Sequence, residues 1–291
     1  MDSLKISGAV IDAISLLFPD SFTKILGDDQ PNITFTDLFP VVKKKMLFPK
    51  PKIPLKISVG DLNRDTTTQP LKEIKSMEFM TIGGIKKLTE LFIRSGFRSV
   101  DYKDAQEIFN AERKLIEENF PYDMLNRRVE FPGLSITHSK QNIFVKEEIA
   151  PNHPYFTYFE GPNEIITALS YLQDAGISKK RSVGLGSFRL QGFKSDIKMG
   201  FNAEGLYLVL SPFIPSLPDI KNIDFTRSVY EIDYISGLSR YGRPFGIHKY
   251  ISSGSLLYLK SELKGRWIQP FNQGSDKKLI NFSGSFMEVS S

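Results

Sequence analysis

The tightest constraint on how this chain can fold is a helix with both ends marked, followed without a linker by a glycine-bearing turn and extended chain. Pro162 stands at the start of the helix, where its missing N–H costs nothing. Ile165, Ile166, Leu169 and Leu172 recur at helical spacing, and Gly176 closes it. Ser178-Lys179-Lys180-Arg181-Ser182-Val183-Gly184-Leu185-Gly186-Ser187-Phe188 follows at once and leads into a strand predicted over residues 188–190. Glycines let backbone N–H groups approach an anion without interference from Cβ, and three adjacent cations supply the charge a phosphate calls for. The same residues also suit a plain glycine turn feeding a strand, with its cations in solvent. Local pattern leaves both readings open.

Elsewhere the periodicity is mixed. Val10, Ile11, Ile14, Leu16, Leu17 and Phe18 predict a helix over 7–26, ended by Gly27. Residues 35–54 hold Pro40, Pro49, Pro51 and Pro54 and read as extended, loop-like chain that also carries Lys43, Lys44, Lys45, Lys50 and Lys52. Helices are expected over 85–96 and 101–119, and short strands over 129–136, 143–149 and 155–159. Beyond a polar stretch the pattern shifts to strands at 206–211, 229–235 and 255–259, so a boundary is placed near Asp196, giving domains 1–196 and 197–291. The order helix, strands, helix, strand resembles most of a βαββαβ unit, the ferredoxin-like or RNA-recognition arrangement, and the expected class is α+β.

Composition narrows the function classes. The chain has 291 residues, 41% of them hydrophobic, with 23 Phe, which is core enough for two domains. Lys+Arg exceeds Asp+Glu by 38 − 33 = 5, a bias that matters only because the positive charges cluster. The absence of cysteine excludes disulfides, Cys-ligated zinc and thiol nucleophiles. With Asp2 and Lys5 where an apolar stretch would begin, no leader is expected; no apolar run reaches the ~20 residues of a membrane span. A soluble, cytoplasmic protein without membrane association is expected.

Catalytic motifs are thin. Gly184-Leu185-Gly186 is no dinucleotide fingerprint, since Arg189 holds the third glycine position and the motif follows a helix. No Walker sequence and no Gly-x-Ser-x-Gly elbow occurs, and Gly27-Asp28-Asp29 ends a helix, whereas a metal-binding palm turn lies between paired strands. His138, His153 and His248 include no pair at metal-ligand spacing, although a lone histidine can serve as base in a metal-independent ribonuclease. Lys43 to Lys52 can follow a nucleic-acid backbone or simply face solvent. Trp267 suits a core or interface. Arg243, in Tyr241-Gly242-Arg243-Pro244-Phe245-Gly246, suits either phosphate pairing beside stacking rings or ordinary turn packing. No metal and no cofactor is expected.

Together these residues carry a family resemblance. Gly176-Ile177-Ser178-Lys179-Lys180-Arg181-Ser182-Val183-Gly184-Leu185-Gly186-Ser187-Phe188 resembles the Gly-Ile-Gly-Gly-Lys-Arg-Ser-x-Gly-x-Gly-x-Phe pattern of the repeat-associated (RAMP) superfamily of CRISPR proteins. More narrowly, the chain is similar to the fourth subunit of type III-A (Csm) effector complexes. Thr36-Asp37-Leu38-Phe39-Pro40 and Leu47-Phe48-Pro49-Lys50-Pro51 resemble two further segments of that subunit, as do residues 206–215, Tyr241-Gly242-Arg243 and Ser253-Gly254-Ser255.

The resemblance implies two ferredoxin-like (RRM-type βαββαβ) domains and a non-catalytic RNA-binding subunit. Such a subunit holds the repeat-derived 5′ handle of the guide RNA (crRNA) and bridges the large polymerase-palm subunit to the backbone subunits. Carried over, Lys179, Lys180 and Arg181 contact handle phosphates, Ser182 donates to a phosphate or ribose oxygen, and Gly184 and Gly186 permit close backbone approach, with Arg243 as an addition. A guide-processing ribonuclease of the same superfamily is the alternative. Three departures stand out. Ser178 replaces a glycine of the pattern, and His138 lies where relatives often carry an Ile-Asp-Arg-like segment. The first domain lacks the strand that precedes the first helix in the family, so the natural product is expected to start upstream.

Overall fold

The computed structural model describes residues 3–20, 22, 33–56, 74–117, 126–137, 140–151, 154–177, 186–192, 199–238, 244–271 and 278–289. It is an α+β protein. Helix α1 (Ser3–Leu17) buries Ile6, Val10, Ile11 and Ile14, the face its apolar spacing dictates. It starts before the expected residue 7 and ends well before 26, because Pro19 restricts Phe18, whose N–H makes the last helical bond to the Ile14 carbonyl at 2.8 Å.

Half of the proline-studded stretch read as extended, loop-like chain is paired strand: β1 (Thr34–Phe35), β2 (Phe39–Val42) and β3 (Lys45–Pro49). Two of its prolines are tolerated by position. Pro49 closes β3, and Pro40 lies in the two-pair contact of β2 with β9 (Tyr155–Phe156), so little ladder is lost. With β5 (Phe79–Thr81) these strands form an antiparallel sheet of order β5-β3-β2-β9. Phe39, Phe48 and Phe156 fill one face of it, with ring centroids 5.4–6.0 Å apart. Each such buried ring contributes about 1.5–3 kcal/mol of burial free energy.

Helices α2 (Ile82–Arg94) and α3 (Tyr102–Glu117) appear close to where periodicity puts them. Thr81 caps α2 by accepting the Gly84 N–H at 3.2 Å, and the buried Glu112 carboxylate of α3 accepts both the N–H and the hydroxyl of Thr81 at 2.7 Å. Short β4 (Leu55–Lys56) and β6 (Val100–Asp101) pair in parallel. The two strands expected near 129–149 are a longer hairpin, β7 (Asn126–Thr137) with β8 (Lys140–Pro151). β10 (Phe159–Glu160) pairs with β1, and α4 (Glu164–Ala175) packs Ile165, Ala168, Leu169 and Leu172 against α1.

The second half opens with β11 (Gly205–Val209), buried along its whole length, as the unbroken apolar run Leu206 to Leu210 requires. The chain continues through α5 (Leu217–Asn222), β12 (Ile223–Val229), the hairpin β13 (Ile232–Leu238) and β14 (Pro244–Ile251), and β15 (Leu256–Leu259). A second hairpin, β16 (Arg266–Phe271) with β17 (Lys278–Phe282), precedes β18 (Phe286–Glu288). The sheet order is β12-β15-β11-β18, antiparallel at every neighbour.

The period-2 alternation of β11 decides how the halves meet. Leu206, Leu208 and Leu210 join Phe39, Phe48, Met80 and Phe92 in one core, while Tyr207 and Val209 face a second cluster with Phe213 and Phe286. The halves on either side of residue 196 therefore share buried apolar surface. A buried carboxylate locks the second half: Asp219 accepts N–H bonds from Ser216 (2.8 Å), Lys264 (3.1 Å) and Gly265 (3.0 Å). The β16–β17 hairpin then reaches across to the first half, where Trp267 packs on the α1–α4 cluster and the Asn281 amide donates to the Ile33 carbonyl.

Candidate nucleic-acid interface

The glycine turn is anchored by the residues on either side of it. At the end of α4 the Gly176 N–H donates to the Leu172 carbonyl at 2.7 Å, and Gly176 itself sits at φ 78°, ψ 152°. That conformation is essentially restricted to glycine, and it turns the chain sharply off the helix axis. Ile177 then donates its N–H to the Gly186 carbonyl at 3.0 Å, with Gly186 at φ 82°. Segment 178–185 therefore leaves and re-enters the described structure at one hydrogen-bonded neck. Ile177 and Phe188 seat the neck on the α1–α4 cluster, and the Leu190 N–H donates to the Gln173 side chain at 2.7 Å.

That last bond corrects the sequence reading of residues 188–190. They form no strand, because this segment lies against helices and its backbone satisfies itself on a helix side chain, with no ladder to join. Of the candidate RNA-binding residues, Gly186 is at the neck; Lys179, Lys180, Arg181, Ser182, Gly184 and Arg243 lie outside the described residues, as do Ser178, His138 and His153. His248 is half-buried in β14, opposite Ile235. Trp267, half-buried, packs on the α1–α4 cluster. Among the described residues no group of three or more His, Asp or Glu converges to hold a metal.

The lysine cluster divides in two. Lys50 turns inward to the Ile74 carbonyl, and burial lowers its pKa to about 8 despite the nearby Glu78. Lys52 ties the halves together through Glu231 and the Ser252 hydroxyl, and its pKa is also lowered by burial. The Ser253-Gly254-Ser255 turn docks here: the Lys52 N–H donates to the Gly254 carbonyl at 2.9 Å, and at φ 88° a Cβ on Gly254 would lie 2.8 Å from the Lys50 carbonyl oxygen. Lys43, Lys44 and Lys45 instead project from the β2–β3 turn, all exposed.

A cleft of about 650 Å³ between the halves went unread in the sequence, because residues from 34 to 286 build it; Phe159, Phe201 and Phe286 line it, with Glu160, Glu262 and Lys264 at hand. Among the described residues no helix is long and apolar enough to cross a membrane.

No protein-family model and no curated protein matches the sequence. The fold does match: it is the α+β fold of chains solved within type III-A CRISPR–Cas assemblies. A chain of the Csm3–Csm4 subcomplex of the type III-A interference complex superposes with a TM-score of 0.56 at 16% identity, over 96% of this chain and 93% of that one. A chain of the Csm1–Csm4 cassette in complex with pppApA gives 0.51 at 18% identity, over 99% and 91%. The same cassette in complex with cA4 gives 0.52 at 17%, again over 99% and 91%. At such identities the likeness is one of fold, and at that level it bears out the resemblance read in the glycine turn and the Phe-Pro-Lys-Pro segment.

Proposed function

We propose that this chain is a non-catalytic RNA-binding subunit of a type III CRISPR effector complex. In this reading it holds the 5′ repeat-derived handle of the guide RNA and bridges the large polymerase-palm subunit to the backbone. The observation that carries the reading is a fold shared over 96–99% of the chain with chains of the Csm3–Csm4 and Csm1–Csm4 structures. The neck at Gly176 and Gly186 supports it from the other side, since it holds the ends of a segment bearing Lys179, Lys180, Arg181, Ser182 and Gly184.

The domains of this reading are ferredoxin-like, 1–196 and 197–291. For the second, support comes from the sheet order β12-β15-β11-β18 with α5 between β11 and β12, which suits a βαββαβ unit whose second helix is replaced by the β16–β17 hairpin. In the first, α1 and α4 serve as the two helices. The location is the cytoplasm, where the guide RNA is bound.

Changing Lys179, Lys180 and Arg181 together to Ala tests the site. Each single-strand phosphate contact contributes roughly 0.7 to the slope of log affinity against log salt, so three contacts amount to about 2. The expected result is a slope lower by about that amount on repeat RNA, with the melting temperature unchanged. An unaltered slope removes the segment from the interface. Repeat RNA incubated without metal should stay intact; sequence-specific cutting abolished by one histidine substitution establishes the ribonuclease alternative instead.

A further inference from the structure

We propose that the Lys43-Lys44 turn, with Lys45, is a second phosphate-binding site of this chain, taking the backbone of single-stranded RNA away from the glycine neck. The inference rests on the RNA-binding reading above and adds a site to it.

Strand register sets the turn. Val41 pairs with Met46 and Val42 with Lys45, so Lys43 and Lys44 alone make a two-residue hairpin loop. Their φ angles are 44° and 67°, both left-handed, as a type I′ turn demands. Asn-Gly meets that demand at little cost, whereas a β-carbon in this region costs of order 1 kcal/mol per residue. This hairpin carries lysine at both central positions and a third lysine directly after them. Backbone strain of this kind persists where something other than the turn itself selects the residue.

Among the described residues nothing supplies that reason. Lys43, Lys44 and Lys45 are all exposed, and none of their side chains makes a hydrogen bond or ion pair with another described residue. This distinguishes them from Lys50 and Lys52 of the same sequence cluster, which are used internally. The platform beneath is rigid: Val42 and Leu47, at 1% and 0% exposure, pack with Ile116 of α3 immediately below the turn. Three ammonium groups within three consecutive residues, held on a fixed hairpin and paired with no described side chain, form a site for successive phosphodiesters. A polynucleotide fits them better than one carboxylate does, because its charges come at regular short intervals along an extended strand.

The strain provides its own test. Lys43→Asn with Lys44→Gly installs the turn's preferred sequence, so this double variant should melt higher than wild type while losing two cations. On a 20-nucleotide polyuridylate, its salt slope should fall by about 1.4, two contacts at roughly 0.7 each, and Lys43→Arg with Lys44→Arg should keep the wild-type slope. A stabilised Asn-Gly variant that binds polyuridylate with wild-type affinity and slope overturns the proposal. So does a defect seen only toward polyglutamate, which would make the turn a contact for an acidic protein. The Lys179, Lys180, Arg181→Ala variant, run alongside, separates the two sites: loss of slope there with none in the Asn-Gly variant leaves the glycine turn as the RNA contact and removes this one, and the converse removes the glycine turn.

Discussion

Replacing Gly176 with alanine perturbs one backbone position on which the presentation of the whole glycine turn depends. At φ 78°, ψ 152° the residue occupies a region that a β-carbon makes costly by about 1–3 kcal/mol. Alanine recovers about 0.4–1 kcal/mol by narrowing the unfolded ensemble, which leaves a net loss of about 1–2 kcal/mol. At about 2–4 °C per kcal/mol for a chain approaching this size, a 2 kcal/mol loss lowers the melting temperature by about 4–8 °C. The chain can escape the penalty only by rotating Gly176 toward an ordinary extended conformation. That rotation swings Ile177 away from Gly186 and breaks their 3.0 Å hydrogen bond, so the basic segment loses its fixed base. Under the proposed function stability and RNA binding are therefore coupled: either the melting temperature falls, or the salt slope does. Thermal melts by circular dichroism and fluorescence anisotropy on repeat RNA across a salt series read the two effects separately. Gly246→Ala is the control, since Gly246 is not among the positive-φ glycines and, its chain neighbours aside, no atom of the described residues lies within 4 Å of where its Cβ would stand. A Gly176→Ala protein with both wild-type melting and wild-type slope refutes the reasoning.

Two further predictions concern stability. Asp219→Ala strips the acceptor from three backbone N–H groups, each worth about 1–3 kcal/mol when left unsatisfied; with water reaching the more exposed of them, urea denaturation should show a loss of about 3–5 kcal/mol. A loss under about 1 kcal/mol would mean that the carboxylate does not hold α5 to the 264–265 turn. Asp224 has its pKa lowered to about 2, first by the Thr226 hydroxyl and then by Arg227, which also lies 3.5 Å above the Tyr258 ring. Because the folded state binds this proton less tightly than the unfolded state does, the stabilisation is complete above about pH 4 and disappears as pH falls toward 2. Asp224→Asn should remove that part of the acid dependence, and melts between pH 2 and 5 that superimpose on wild type would contradict it.

What was legible in the sequence was whatever depends on neighbours within a turn or two of chain. The helix of residues 164–175 lies between Pro162 and Gly176, and α2 and α3 lie near 85–96 and 101–119, because apolar spacing and end signals are local. The prolines of residues 35–54 misled for the same reason. Proline forbids a ladder N–H at its own position, but whether that N–H is needed depends on a strand more than a hundred residues away, as Pro40 against Tyr155 shows. Residues 188–190 failed in the opposite sense: they have the composition of a strand, but their neighbours turned out to be helices. Of the candidate site, Gly176 and Gly186 were marked by sequence as a turn, while their joining at one neck was not. The splitting of the lysine cluster was likewise invisible, since it takes Glu231, Ser252 and the Ile74 carbonyl to draw Lys52 and Lys50 inward.

By itself, then, the sequence determined an α+β chain, the placement of its main helices, an apolar strand at 206–211, and a basic glycine turn after α4. Each follows from residue spacing and from the φ range that glycine and proline permit. Tertiary structure alone decided that the two halves share one core, that eight residues leave and return through one hydrogen bond between Ile177 and Gly186, and that Lys43, Lys44 and Lys45 are the lysines of the 43–52 cluster left facing outward. These outcomes depend on which surfaces meet across the chain. A charge or a backbone amide has no intrinsic preference for a distant partner; packing chooses the partner for it.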